Sequence, residues 1–339
     1  MRRRCYPTLL RQCAIIESVD EEGHIFRDVV KWASLDPLSS QLFGSELAVE
    51  QLDIFADSRD VMLRNDVVDA LLRRDAGAAR AAWTCLEAQY PSDGTLLASG
   101  TLVLALEADC RWPFADRGEL AVARRELSET IAAAAQRVLP LPCVQAWLAP
   151  CWRALAERAA RIPFHAGASD DCAAPLWLCA GDWDKARQAA EQIPSWWRIP
   201  APLEWAAEAR YRLDGLDVAW PLLTELAWLA PTRFVAMMGR LGDRVLDALR
   251  RQFDAEFAGT GDAADFAWFP AWLLTVKPGL ADRLREARLS RHVGAERATS
   301  LLRQILSLER QGRQHDLLER RAALRGLHAG LYAAYMKTR

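Results

Sequence analysis

Apolar residues recur along most of this chain at intervals of three and four, the period of a helix with one buried face. Val61, Leu63, Val67, Val68, Leu71 and Leu72 form the first clear stripe. A break at Asp75-Ala76-Gly77 follows, then a second helix through Glu87 that stops before Pro91. The pattern predicts further helices over about Ser92–Glu107 and Gly118–Val138, with a loop at Trp112-Pro113 between them. Ten prolines from Pro140 to Pro231 then punctuate short helices. Proline is tolerated in a first turn and breaks an interior, so Pro150 is expected to interrupt the helix between Cys143 and Cys151. Beyond Pro231 the pattern gives a helix to about Phe257, a flexible glycine link at Gly259-Thr260-Gly261-Asp262, an aromatic segment Ala267–Thr275, and two final helices, about Ala295–Gln311 and His315–Lys337. Alternating, strand-like runs are scarce. The stretch before Phe55 is the least regular, and there His24–Val30 fits a short strand as well as a helix start. The expected fold is all-α, organised as an irregular segment (1–55), a helical array (56–258) and a C-terminal helical cap continuous with it (259–339).

Within the array one phrase returns. Ala79, Trp83, Leu86 and Pro91 are spaced by four, three and five residues, and Ala219, Leu223, Leu226 and Pro231 repeat those intervals. Gly181-Asp182-Trp183-Asp184-Lys185-Ala186 supplies the front half of a third copy, with Ala186 and Ala219 33 residues apart. A period of this size means helix pairs that cannot bury their apolar faces alone and stack to do so. A small residue belongs where two helices cross closely, a large one fills the space between pairs, and proline ends the unit.

These intervals resemble the second half of a tetratricopeptide repeat. Trp177, four residues before Gly181, stands where that family favours a large aromatic, whereas its usual Leu-Gly pair is Ala173-Ala174 here and Pro194 arrives early. The resemblance implies a right-handed α-solenoid of antiparallel helix hairpins that binds peptides or partner proteins along a concave face, without catalysis. On that register Trp177, Arg210 and Glu204 would line the groove, with Arg210 available to a carboxylate on a bound peptide.

Composition changes this picture little. The chain is 51% hydrophobic and 26% charged with a net charge of −2, a balance that argues against nucleic acid or membrane as partners. Only Lys31, Lys185, Lys277 and Lys337 among 43 basic residues are lysines, which fits a GC-rich bacterial genome. Arg2-Arg3-Arg4 is followed by no secretion-type apolar segment, and no apolar stretch reaches the length of a membrane helix, so a cytoplasmic location is expected.

Candidate chemistry is sparse. Eight cysteines contain no CxxC pair and are expected to be reduced thiols packed as small apolar groups. Cys143, Cys151, Cys172, Cys179 and His165 fall close together, which makes a metal site or an enzyme built on this region the rival reading, although structural zinc needs tighter pairs. Trp196-Trp197-Arg198, in a proline-bounded loop, has the composition of a binding hot spot; the alternative is that one tryptophan caps the core and the other stacks on Arg198. Arg210 can instead pair with Glu208 or Asp214. Trp268 and Trp272 share a helical face suited to core or interface. Eight arginines between Arg291 and Arg325 read as the polar outer face of a capping helix, or as a surface for an acidic partner or nucleic acid. Familiar catalytic signatures are absent. The expected role is therefore a non-catalytic adaptor or scaffold subunit, without cofactor, contacting a protein or peptide through Trp177, Trp196, Trp197, Arg198 and Arg210. A variant of it presents a peptide substrate to a partner enzyme.

Overall fold

A computed structural model of the protein describes residues 13–19, 25–31, 58–108, 112–257, 259–288 and 293–339. The chain divides into two compact units, Met1–Ile54 and Phe55–Arg339. In the first, β1 (Cys13–Val19) pairs antiparallel with β2 (Ile25–Lys31), Cys13 opposite Lys31 and Val19 opposite Ile25. Of the two options for His24–Val30, Ile25 onward is strand. The Arg2-Arg3-Arg4 start and Arg291 lie outside the described residues.

The described part of the second unit is helical throughout. It opens with α1 (Arg59–Leu72), α2 (Ala76–Gln89) and α3 (Leu96–Glu107). Then α4 (Arg117–Arg125) and α5 (Ala132–Val138) are joined by a π-helical turn, Glu126–Ile131, so the long helix expected from Gly118 to Val138 is present with a widened middle. Next come α6 (Leu141–Arg158), α7 (Ala173–Ala180), α8 (Trp183–Glu191), α9 (Pro200–Asp214), α10 (Leu216–Leu229), α11 (Pro231–Leu241) and α12 (Arg244–Glu256). A 3-10 turn (Ala263–Trp268), α13 (Phe269–Val276), two short 3-10 turns (Pro278–Ala281, Arg283–Glu286), α14 (Val293–Gln311), α15 (Gln314–Leu327) and α16 (Ala329–Lys337) complete it. No helix among the described residues is long and apolar enough to cross a membrane.

Helices pack on their neighbours in sequence, as in α1–α2, α7–α8, α8–α9, α9–α10 and α14–α15, and on the next but one, as in α7–α9 and α9–α11. Ala79 on α2, Ala186 on α8 and Ala219 on α10 are fully buried, as are Leu86 and Leu226. The turns that fold one helix back on the last use a left-handed residue. At Gly181 (φ 75°) the amides of Gly181 and Asp182 bond back to the carbonyls of Leu178 and Trp177. Arg74 (φ 54°) and Asp75 do the same to Leu71 and Ala70, and Gly312 (φ 70°) and Arg313 to Glu309 and Leu308. This is the closing motif of helices that end in a tight reversal.

Four expectations need correction. The single helix expected from Pro231 to about Phe257 is two, because Gly242 turns left-handed (φ 60°) and the Asp243 carboxylate accepts from the amides of Val245 and Leu246 to start α12. Pro150 lies inside α6 and Pro221 inside α10, without breaking either. The missing amide and the ring clash cost about 3 kcal/mol, and in α6 Trp147, Leu148, Trp152 and Leu155 bury the helix on both sides of Pro150. The expected helix His315–Lys337 is two helices, because His328 leaves helical geometry and its Nδ1 accepts from the amide of Leu331, capping α16. The glycine link at Gly259 is an ordered turn, in which the Asp265 carboxylate accepts from the Gly261 amide at 2.7 Å and from the Thr260 hydroxyl at 3.1 Å.

Two large apolar clusters form most of the core, with a small third one at Trp228, Ala267 and Ala295. One large cluster joins α1–α8, and the other runs from Cys172 to Tyr335 without interruption at Gly259, so the C-terminal helices share their core with α9–α12. Between them α9 is buried along its whole first half, Ala201 to Ala209. The loop that delivers the chain into α9 carries Trp196-Trp197-Arg198.

Candidate functional site

The loop between α8 and α9 is shaped by its prolines. Pro194 follows the end of α8, and Pro200 supplies the first residue of α9, where its fixed φ suits a helix start and its missing amide costs nothing. Between them Ser195 adopts φ 58°, a left-handed conformation worth about 1 kcal/mol of strain in a residue with a Cβ. Ser195 then starts a 3-10 turn, its carbonyl accepting from the Arg198 amide at 2.8 Å and that of Trp196 from the Ile199 amide at 3.2 Å.

The turn sends its two indoles in different directions. Trp196 is 8% exposed and belongs to the core, whereas Trp197 is 38% exposed. Their rings meet edge to face at 6.1 Å. Arg288, not Arg198, stacks on them, its guanidinium 5.0 Å from the Trp196 ring and 5.4 Å from that of Trp197. Arg198 is exposed and makes no ion pair among the described residues.

Arg288 is itself anchored on α10. Its backbone amide donates to Glu225 Oε1 at 2.7 Å, and its Nη1 lies 3.6 Å from Glu225 Oε2. Glu225 is 4% exposed and Oε2 accepts no hydrogen bond. Burial pushes the Glu225 carboxyl above its ordinary range, against the opposing pull of Arg288. One turn on, the buried Trp228 Nε1 also lacks an acceptor.

On its other flank the loop walls a cleft of about 380 Å³, lined by Phe164, Cys172, Ala174, Ile193, Pro194 and Ile199 among others. Gln192 is the one polar side chain in that lining. Phe164 is held edge to face by Trp205 of α9 at 6.0 Å. The seven-residue loop carries an exposed indole and an arginine without an ion pair among the described residues, and its Ile193, Pro194 and Ile199 form one wall of the recess.

The other residues singled out in the sequence are engaged internally. Trp177 is buried on α7 beneath Lys185, whose Nζ sits 4.2 Å from its ring. Arg210 pairs with Asp214 at 3.1 Å. Glu204 is buried and bridged at 2.5 Å by both Arg233 and Arg240 of α11. Trp272 is fully buried, and its neighbour Trp268 lies partly exposed against the ring of His328.

The cysteine region shows little chemistry. Cys172 is buried, its thiol pushed up to about 12 by desolvation, which disfavours the thiolate that a nucleophile or metal ligand needs. His165 Nδ1 accepts from the Gly167 amide at 3.2 Å, capping a local turn. No group of three His, Cys, Asp or Glu among the described residues is placed to hold a metal ion.

Arg288 and Glu225 were not anticipated. Glu225 had a legible signal, a lone acid amid the apolar run Trp220–Leu229, where a charge needs a partner. Arg288, 91 residues beyond Trp197, had none. Compared with protein-family models, with curated proteins and with solved structures, the chain matches none.

Proposed function

We propose that this protein is a tetratricopeptide-like array of helix hairpins that acts as a non-catalytic binding module, holding an extended segment of a partner protein across the loop from Ile193 to Ile199. The observation that carries this reading is one proline-bounded loop that both walls a cleft of about 380 Å³, through Ile193, Pro194 and Ile199, and exposes Trp197. A cleft of that size accepts one large apolar side chain, and tryptophan and arginine beside such a recess are the residues that dominate binding energy at interfaces. Arg198 and Arg288 set the charge, so the favoured segment carries Asp or Glu next to its apolar anchor. Ser195 and the buried Trp196 hold the loop in shape before the partner arrives, which lowers the ordering cost of binding. The Arg-for-Lys usage and the free cysteines support a bacterial cytoplasmic setting for this adaptor role.

The test is a displayed library of random peptides selected on the wild-type chain and counter-selected on a Trp197→Ala/Ile199→Asp variant. The expected result is enrichment of one bulky apolar residue within a few positions of an acid, with binding at least tenfold weaker to the variant. Peptides that bind both proteins equally would rule the loop out.

A further inference from the structure

The C-terminal arginines are not uniformly a solvated outer face. Along α14, Ser300, Arg303, Ser307 and Arg310 follow at intervals of three, four and three, and so share one side of the helix. Together with Asp282 and Arg285 from the preceding 3-10 segment they line a pocket of about 200 Å³. Three guanidiniums therefore face one carboxylate. Asp282 is taken up by Arg310, at 3.4 Å, and Arg285, at 3.9 Å. Arg303 is left without an ion pair among the described residues, and its buried Nε has no acceptor. Desolvation and the neighbouring charge of Arg285 disfavour its charged form and outweigh the opposing pull of Asp282. A capping helix needs polar side chains in water, and nothing in that role calls for a half-buried, unpartnered guanidinium crowded by another. The hydroxyls complete the set: Ser300 accepts from Gln304 Nε2 at 3.4 Å and Ser307 from Gln311 Nε2 at 3.0 Å, which leaves both hydroxyl protons available.

We propose that this pocket binds a phosphate group, either inorganic phosphate or the phosphoryl end of a small molecule, with Arg285, Arg303 and Arg310 neutralising it and Ser300 and Ser307 donating to its oxygens. A tetrahedral dianion supplies the negative charge that three arginines with one aspartate are short of. The volume suits one such group. A second cleft of about 480 Å³ adjoins it, sharing Gln304 and Ser307 and continuing past Arg313, Glu319 and Arg320 of the α14–α15 turn. This is where the remainder of a phosphorylated molecule would lie. The pocket is thus a strained, positively charged site that its ligand relaxes.

The experiment measures thermal unfolding and calorimetric binding of the full chain with inorganic phosphate and with phenyl phosphate, ionic strength being held constant with chloride. The expected result is that phosphate at millimolar concentration raises the melting temperature by several degrees more than chloride does. Arg303→Met should lose this effect, with at least tenfold weaker binding, while melting no lower than wild type in chloride, because it removes a half-buried charge crowded by Arg285. Arg310→Gln, a change at an exposed position that cannot unfold the chain, should weaken binding about fivefold. Phenyl phosphate binding more tightly than phosphate assigns the adjoining cleft to the organic part, and equal binding assigns the site to phosphate alone. Phosphate acting no differently from chloride, or both variants responding like wild type, would overturn the proposal.

Discussion

Trp196 and Trp197 are adjacent in the chain and face different surroundings, and their substitution should separate folding from binding. Truncating the buried Trp196 to alanine should cost about 3–5 kcal/mol, the usual range for a large aromatic removed from a core. The same change at Trp197 should cost less than about 1 kcal/mol and weaken peptide binding instead. Urea unfolding of the two variants, beside the peptide titration, checks this. Glu225 gives a second expectation, in pH. A carboxyl whose value is raised in the folded state holds its proton more tightly there, so its contribution is fully favourable below the ordinary value of 4.5 and is lost as pH rises through the raised value. Glu225→Gln keeps an acceptor for the Arg288 amide and cannot ionise. It should match the wild type in acid and exceed it in stability at neutral pH, in unfolding curves recorded across that range. At this scale the sequence was half legible. Composition marked Trp196, Trp197 and Arg198, but which indole faces water follows from the left-handed turn at Ser195, and the arginine that stacks on them comes from a distant segment.

Helices and turns were read more fully, because their signals are local. The stripe from Val61 to Leu72 and the Gly181-Asp182 reversal need only neighbouring residues to form. Pro150, Pro221 and His328 were misread for the opposite reason. Tertiary burial retains α6 and α10 around a proline, and His328 leaves helical geometry after α15 to cap the start of α16 where propensity alone would carry one helix on. Ala79, Ala186 and Ala219, expected at helix crossings, carry the most direct expectation at this scale. Each is fully buried, so leucine there must separate two packed helices and should cost about 1–3 kcal/mol or more, whereas leucine at the exposed Ala236 of α11 should be near neutral. Thermal unfolding of the four variants decides it. At the reversal, Gly181→Ala places a Cβ on a residue with φ 75° and should cost about 1 kcal/mol by the same measurement.

Across the second unit, the two large apolar clusters meet at α7–α9, and the loop carrying Trp197 sits at that meeting. The sequence indicated stacked hairpins but not this junction, since Phe164, Cys172 and Ile199 come together only once α7, α8 and α9 have packed. The site was therefore legible as residues and illegible as a cleft. The arginine pocket behaves likewise: the spacing of Arg303 and Arg310 is visible on one helix, and Arg285 joins them from another segment. The measurement that bears most directly on the binding module is hydrogen–deuterium exchange of the full chain with and without a peptide selected on it. Slowed exchange confined to about residues 160–164, 172–174 and 189–199 is the result expected here. Slowing confined to other helices, or none at saturating peptide, would contradict a docking surface at the Trp197 loop.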